Sequence, residues 1–208
     1  MKLYFDIGCN VGHWIHANHK EGIRIIGVEA NPTKAQEAKE RFADNPDIEI
    51  LNFAVSNRDG DNIDIHVSNP DWATTASSDF RQHGRFSILY ATDPIKVPTI
   101  TIDTLIKQYG EPEYIKIDVE SYELTALQGL AHKSGMIAFE WMDEIKADVF
   151  LCIDYCYSLG YRDFAILINS DDYLYIPNTW QDYDIFRQLI NDTLDVKRMF
   201  HWGMIYCK

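Results

Sequence analysis

The chain is short of positive charge. Its 208 residues include 19 Lys and Arg against 32 Asp and Glu, a net charge of −13, and no run of basic residues. Nucleic-acid affinity rests on neutralising phosphates with Lys and Arg, so a nucleic-acid partner is not expected. Long apolar runs are also missing: none spans a bilayer, and Asp6 interrupts the N-terminus before a signal-length segment forms. Neither a membrane partner nor secretion is expected. Cysteine is scarce. Of Cys9, Cys152, Cys156 and Cys207, only Cys152 and Cys156 are closely spaced, and no second pair completes a zinc site. Buried free thiols in a reducing, cytoplasmic compartment are the expectation, with no metal site. There is no internal repeat. The dinucleotide fingerprint G-x-G-x-x-G is absent too: the first glycine-rich turn reads Gly8-x-x-x-Gly12, with Asn10 where the second glycine would stand.

What is present is strand and helix patterning in close alternation, the signature of a mostly parallel sheet covered on both faces. A hydrophobic content of 46% places the chain among globular proteins, and its length suits one domain over residues 1–208. Strands are predicted at Leu3–Asp6, Arg24–Glu29, Ile48–Phe53, Tyr114–Asp118, Met136–Trp141, Phe164–Asn169 and Trp202–Cys207. Helices are predicted at Val11–Lys20, Pro32–Ala43, Ile102–Tyr109, Tyr122–Leu130, Ile145–Leu159 and Gln181–Asp192. Two short strands, Ile63–Val67 and Lys96–Thr101, are expected to extend one edge. Asn31-Pro32 reads as an N-cap followed by an N1 proline. The irregular Ser68–Pro94 segment, with Trp72, Phe80, Arg81, His83 and Arg85, is the expected lid over the site. Tyr173–Trp180 is the candidate for an opposite wall.

Lys2-Leu-Tyr-Phe-Asp-Ile-Gly-Cys-Asn-Val-Gly12 carries the functional signal. A strand ends in an acid, a glycine turn follows and a helix begins, presenting backbone N–H groups to a ligand. Asp6 would repel phosphates and Asn10 would crowd a pyrophosphate, which disfavours an NAD-linked oxidoreductase. An acid there suits a cationic cofactor such as S-adenosylmethionine. Glu29 ends the second strand about 20 residues on, placed to accept both ribose hydroxyls; the simpler alternative is that it serves the following helix.

Five motifs follow in order: Asp6-Ile-Gly-Cys-Asn-Val-Gly12, Glu29-Ala-Asn-Pro32, Asn52-Phe-Ala-Val55, Thr101-Ile-Asp-Thr-Leu105 and Lys116-Ile-Asp-Val-Glu-Ser-Tyr-Glu123. Together they resemble the FkbM family of S-adenosylmethionine-dependent methyltransferases, from about residue 3 to Phe139-Glu140. The resemblance implies a class I Rossmann-like fold with a mostly parallel seven-stranded sheet. It also implies methylation of a hydroxyl on a sugar, glycan or small natural product. Cofactor contacts are then expected at Asp6, Gly8, Asn10, Gly12, Glu29, Asn31, Phe53, Ala54 and Asp118.

Asp118 and Glu120 are the candidate catalytic bases, since a hydroxyl acceptor benefits from one within hydrogen-bond reach. The bland alternative has Asp118 ordering the turn and Glu120 paired with a cation. Glu140 is a second-tier candidate, and Lys116 invites comparison with ribose 2′-O-methyltransferases, against which the net charge weighs. His13, His16 and His19 turn away from one another around their helix, and His13 alone is near enough to the turn to approach a cofactor. One position departs from the family pattern: Ser121 stands where glycine is usual, and is expected to cap a helix beginning at Tyr122. A non-catalytic relative that kept the fold is the alternative this departure leaves open.

Overall fold

The computed structural model describes residues 1–68, 74–78, 93–169, 177–194 and 202–208. Its principal sheet has eight strands: β1 (Lys2–Ile7), β2 (Ile23–Glu29), β3 (Ile48–Asn52), β8 (Tyr114–Ile117), β9 (Met136–Met142), β10 (Asp163–Ile168), β11 (Gln181–Asp182) and β12 (Trp202–Cys207). They lie in the order β11-β10-β12-β9-β8-β1-β2-β3. β1 pairs in parallel with β2 and β8, whereas β12 runs antiparallel between β9 and β10. All seven strands read from the sequence are present, and the two-residue β11 adds an eighth at the edge. The helix expected from Gln181 begins instead at Tyr183, because Gln181 and Asp182 pair with Phe164 and Asp163.

Side-chain alternation on the strands separates two cores. Phe5 and Ile7 of β1, Ile115 and Ile117 of β8, and Ile137, Phe139 and Trp141 of β9 pack on one face. That face is covered by α3 (Ile102–Tyr109), α4 (Glu123–Leu127), α5 (Lys146–Ser158) and α6 (Tyr183–Leu194). Tyr4, Tyr114 and Ala138 from the same strands face the other way, under Trp14 and Ile15 of α1 (His13–Asn18) and Ala38 of α2 (Pro32–Arg41). The four cysteines are free and buried; Cys152 and Cys156 belong to the first core.

The two extra strands do not extend the main sheet. β5 (Asn62–Val67) and β7 (Ile95–Ile100) form a second sheet with β4 (Ala54–Val55) and β6 (Thr74–Thr75), in the order β4-β7-β5-β6. The chain leaves the main sheet at Phe53, and Ala54 pairs with Thr99. Ile65 and Val97 bury their side chains against Ala54, with Ile63 packed beside them, so the apolar side of these strands turns toward the end of β2 and not along β3. Asn31 caps α2, accepting hydrogen bonds from Thr33 N (3.0 Å) and Lys34 N (3.5 Å), with Pro32 at the first helical position.

Candidate functional site

The chain order on the sheet reverses between β1 and β8: β2 and β3 follow on one side, β9 on the other. Ligands of open α/β sheets bind at the carboxyl ends of strands at such a reversal. Gly8 and Asp118 are the first residues beyond these two strands, and Asp118 N donates to Ile7 O at 2.9 Å. Gly8 has φ +80° and rests against the Asp118 carbonyl, which leaves no room for a Cβ.

A cleft opens here, about 740 Å³ of empty space with its mouth included. Gly8, Asn10, Glu29, Phe53, Ala54, Asp118 and Glu120, all expected from the sequence, line it. Asp6, Gly12 and Asn31 do not. Asp6 is 0% exposed, on the sheet behind the turn, with Oδ1 3.6 Å from Lys116 Nζ. Gly12, at φ +78°, starts α1 with Phe42 pressed against it. Asn31 acts through Glu29. Val28, Val119, Tyr122, Ile63, Ile65, Thr74 and Ala76 also line the cleft and are not among the contacts expected from the sequence. The last four come from or just beside the second sheet, and strand period alone does not say where that sheet lies.

Glu29 is 6% exposed and grips two backbone amides. Oε2 accepts from Asn10 N and Oε1 from Asn31 N, both at 2.8 Å. Burial pushes its carboxyl up to about 6, against the pull of those amides. Each oxygen keeps a second lone pair for a hydroxyl donor. Asn10 follows with φ 50°, a left-handed conformation that Asn tolerates, its Oδ1 accepting from Val11 N at 2.7 Å.

The turn after β8 carries the second cluster. β8 ends at Ile117, and Asp118 and Glu120, on the turn that follows, both reach the cleft. Glu120 and Ser121 have φ of 54° and 70°, an uncommon pair for side-chain-bearing residues. Ser121 therefore does not cap α4: Tyr122 stands at the N-cap and the helix starts at Glu123. Ser121 Oγ is buried with no hydrogen-bond partner among the described residues. Glu123 holds the turn instead. Its Oε1 accepts from Val119 N at 3.0 Å, and burial raises its carboxyl to about 7 while backbone N–H groups oppose the rise. Thr75 Oγ1 donates to Glu120 O at 2.6 Å, tying β6 to the same turn. Apart from residues 68, 74–78, 93 and 94, the expected lid lies outside the described residues, including Trp72, Phe80, Arg81, His83 and Arg85.

A second cavity, about 680 Å³ of empty space with its mouth, shares Gly8, Asn10 and Asp118 with the first. Its other walls are Cys9, His13, Trp14, Lys116, Glu140, Trp202 and Met204. His13 thus meets this cavity and not the first cleft; His16 and His19 line neither. Of the expected wall Tyr173–Trp180, residues 173–176 lie outside the described residues, and Trp180 packs under Lys208 away from both cavities. Lys116 Nζ is 3.0 Å from Asp118 Oδ2. One oxygen each of Asp118, Glu120 and Glu140 lies within 4.8 Å of the others, close enough to converge on a cation. Burial, and then the negative charge of Asp118, Glu120 and Glu123, pushes the Glu140 carboxyl well above the usual range, with Lys116 opposing.

The residues fit S-adenosylmethionine. Val28, Phe53, Ile63 and Ile65 give the cleft an apolar wall, Glu29 keeps acceptor capacity for hydroxyl donors, and Asp118 and Glu120 bring negative charge to the lining, a donor set that suits a cationic nucleoside cofactor.

Comparison with known proteins agrees with this geometry. The family model for the methyltransferase FkbM domain matches residues 6–150. No curated protein matches the sequence. Among solved structures, the chain is similar to a precorrin-6y C5,15-methyltransferase from Geobacter metallireducens GS-15, at 8% identity, covering 100% of this chain and 78% of that one with a TM-score of 0.49. Fibrillarin from Aeropyrum pernix, bound to S-adenosyl-L-methionine, gives 11% identity, 100% and 66% coverage and a TM-score of 0.47. Geranyl diphosphate C-methyltransferase from Streptomyces coelicolor A3(2) gives 7%, 100% and 73%, and 0.48. Likeness at that level adds nothing to what sheet order and family model give. With the first glycine turn, the acid after β2 and the turn after β8 all at one cleft, and the family model spanning them, the chain belongs to the FkbM family of S-adenosylmethionine-dependent methyltransferases.

Proposed function

We propose that the enzyme methylates oxygen, transferring the methyl group to a hydroxyl of a sugar, a glycan or a small natural product. The observation that carries this reading is the meeting of two cavities at Gly8, Asn10 and Asp118, with carboxylates and no thiol nucleophile at the junction. Cys9, the one cysteine lining either cavity, has its thiol pushed well up by burial, so it stays protonated.

The cofactor supplies an electrophilic methyl group on a sulfonium. Glu29, Asn10 and the apolar cleft wall would hold its nucleoside part, and Asp118 and Glu120 its charged end. Methyl displacement needs the acceptor oxygen in line with the bond that breaks, and such positioning is worth up to ~7–11 kcal/mol in favourable cases. The hydroxyl proton passes to a carboxylate where Asp118, Glu120 and Glu140 come together. Asp118, paired with Lys116, also fixes the turn that separates the two compartments. The net charge of −13 supports an acceptor other than nucleic acid. No described helix is long and apolar enough to cross a membrane. We place the enzyme in the cytoplasm on the strength of its four free thiols.

Calorimetric titration with S-adenosylhomocysteine, with NAD as comparison, tests the cofactor half: micromolar binding of the first alone is expected. Transfer of labelled methyl to a panel of hydroxyl, amine and carbon acceptors tests the rest. Label found only on nitrogen or carbon would overturn oxygen as the acceptor atom.

A further inference from the structure

Glu140 and Lys116 share a sheet face. Lys116 lies opposite Ala138 across β8 and β9, and Glu140 is two residues further along, opposite Met204 of β12. The same face is covered nearer its middle by α1 and α2. At its carboxyl end the covering thins to Trp14 and His13 on one side and Trp202 on the other, and the second cavity lies between them.

Three features of this cavity go beyond a cofactor site. Glu120 lines only the cofactor cleft and Asp118 lines both compartments while paired to Lys116, so Glu140 is the carboxylate that belongs to the second cavity alone. Its Oε2 is screened from solvent and has no hydrogen-bond partner among the described residues. Across the cavity Trp14 is 7% exposed and stacks on Tyr114, with ring planes 7° apart, yet its Nε1–H has no hydrogen-bond partner among the described residues. Buried polar groups are nearly always paired, so an unmet acceptor on Glu140 and an unmet donor on Trp14, both on side chains that line this cavity, leave hydrogen-bonding capacity beside it. An aromatic wall with a few convergent polar groups is the usual make-up of a small-molecule pocket.

We propose that this second cavity receives the methyl acceptor as an uncharged, hydroxyl-bearing ring, and that Glu140 takes the proton from the hydroxyl that is methylated. The proposal rests on the methyltransferase reading above. In the step, the acceptor oxygen forms a bond to the methyl carbon as the carbon–sulfur bond breaks. The bonding pair leaves on sulfur, which becomes a neutral thioether, and the hydroxyl proton moves to ionised Glu140, leaving a carboxylic acid. An anionic acceptor is excluded on charge. Asp118, Glu120 and Glu140 meet at the junction with Lys116 as the one ammonium among the lining residues, and a phosphate or carboxylate would meet like charge in a poorly solvated space. The raised carboxyl of Glu140 adds to its strength as a proton acceptor once ionised.

The test uses the full chain labelled with 5-fluorotryptophan and saturated with S-adenosylhomocysteine. Fluorine resonances of Trp14 and Trp202, assigned from Trp14→Phe and Trp202→Phe, should shift on addition of methyl hexopyranosides and stay in place with glucuronate or glucose 6-phosphate. No shift with any neutral glycoside, or an equal shift with the anionic sugars, overturns the uncharged-ring assignment. Glu140→Gln should bind S-adenosylhomocysteine within threefold of wild type, which also shows that it folds, while methyl transfer to a hydroxyl acceptor falls at least ~100-fold. Transfer at the wild-type rate overturns the role of Glu140. So does activity abolished by chelator and restored by magnesium, which would give its carboxylate to a cation. If wild type itself fails to bind S-adenosylhomocysteine, the methyltransferase reading fails, and not the cavity assignment alone.

Discussion

Gly8 and Asp118 touch through their backbones: the α-carbon of Gly8 sits so close to the Asp118 carbonyl that a methyl group there would overlap the oxygen. The contact joins the ends of β1 and β8 and forms the partition between the two cavities. Gly8→Ala should therefore part the strand ends and strain a residue at φ +80°. Overpacking and left-handed strain together should cost about 3 kcal/mol. Thermal unfolding would show the loss, and calorimetry should find S-adenosylhomocysteine affinity down by more than tenfold. Unchanged affinity would mean that the partition does not shape the cofactor site.

Glu29→Ala should weaken cofactor binding by ~1.5–3 kcal/mol, the range for a hydrogen bond to a charged group. Wild-type affinity should also depend on pH. With its carboxyl near 6, Glu29 is ionised and able to accept hydroxyl hydrogen bonds at pH 7.5, and becomes protonated below 6. Calorimetry between pH 5 and 8 should show affinity for S-adenosylhomocysteine falling on the acid side, and Glu29→Gln should flatten the profile. A parallel profile in the variant would assign the dependence elsewhere.

Glu123 makes stability depend on pH in the opposite sense to a surface acid. Its folded value of about 7 lies above the ordinary 4.5, so folding favours the protonated form. That contribution is fully present below pH 4.5 and is lost as pH rises to about 7, on the order of 3 kcal/mol across the window. Melting temperatures of wild type and Glu123→Gln, followed from pH 4.5 to 7.5, should diverge in the variant's favour as pH rises. Parallel curves would show that Glu123 is not buried as described.

Ser121→Gly should stabilise the enzyme by about 1 kcal/mol. It relieves a left-handed residue at φ 70° and removes a buried hydroxyl with no partner among the described residues. For a chain of this size the melting temperature should rise by ~2–4 °C. A fall would mean that Ser121 Oγ holds the turn.

Local chemistry wrote the first half of the site into the sequence. A strand, an acid, two glycines and a helix within eleven residues force backbone amides to the end of β1, and Glu29 follows one βα unit later at the neighbouring strand end. Such signals survive in sequence because each constraint acts within about 20 residues. Seven strands and the helices on both faces were legible for the same reason, since periods of 2 and 3.6 are local. Periodicity identifies a side chain's face but not its neighbouring strand, so Ile63 and Ile65 read as a sheet edge when they form a cleft wall. Ser121 read as a helix cap because the left-handed pair before α4 is imposed by the contacts of Glu123 and Thr75 on the turn. The second cavity is wholly a product of tertiary structure. Trp14, Lys116, Glu140 and Trp202 are separated by up to most of the chain, and only the parallel pairing of β8 with β9 and the antiparallel return of β12 bring them to one place. The sequence by itself determined the cofactor; the order of strands in the sheet decided what stands opposite it.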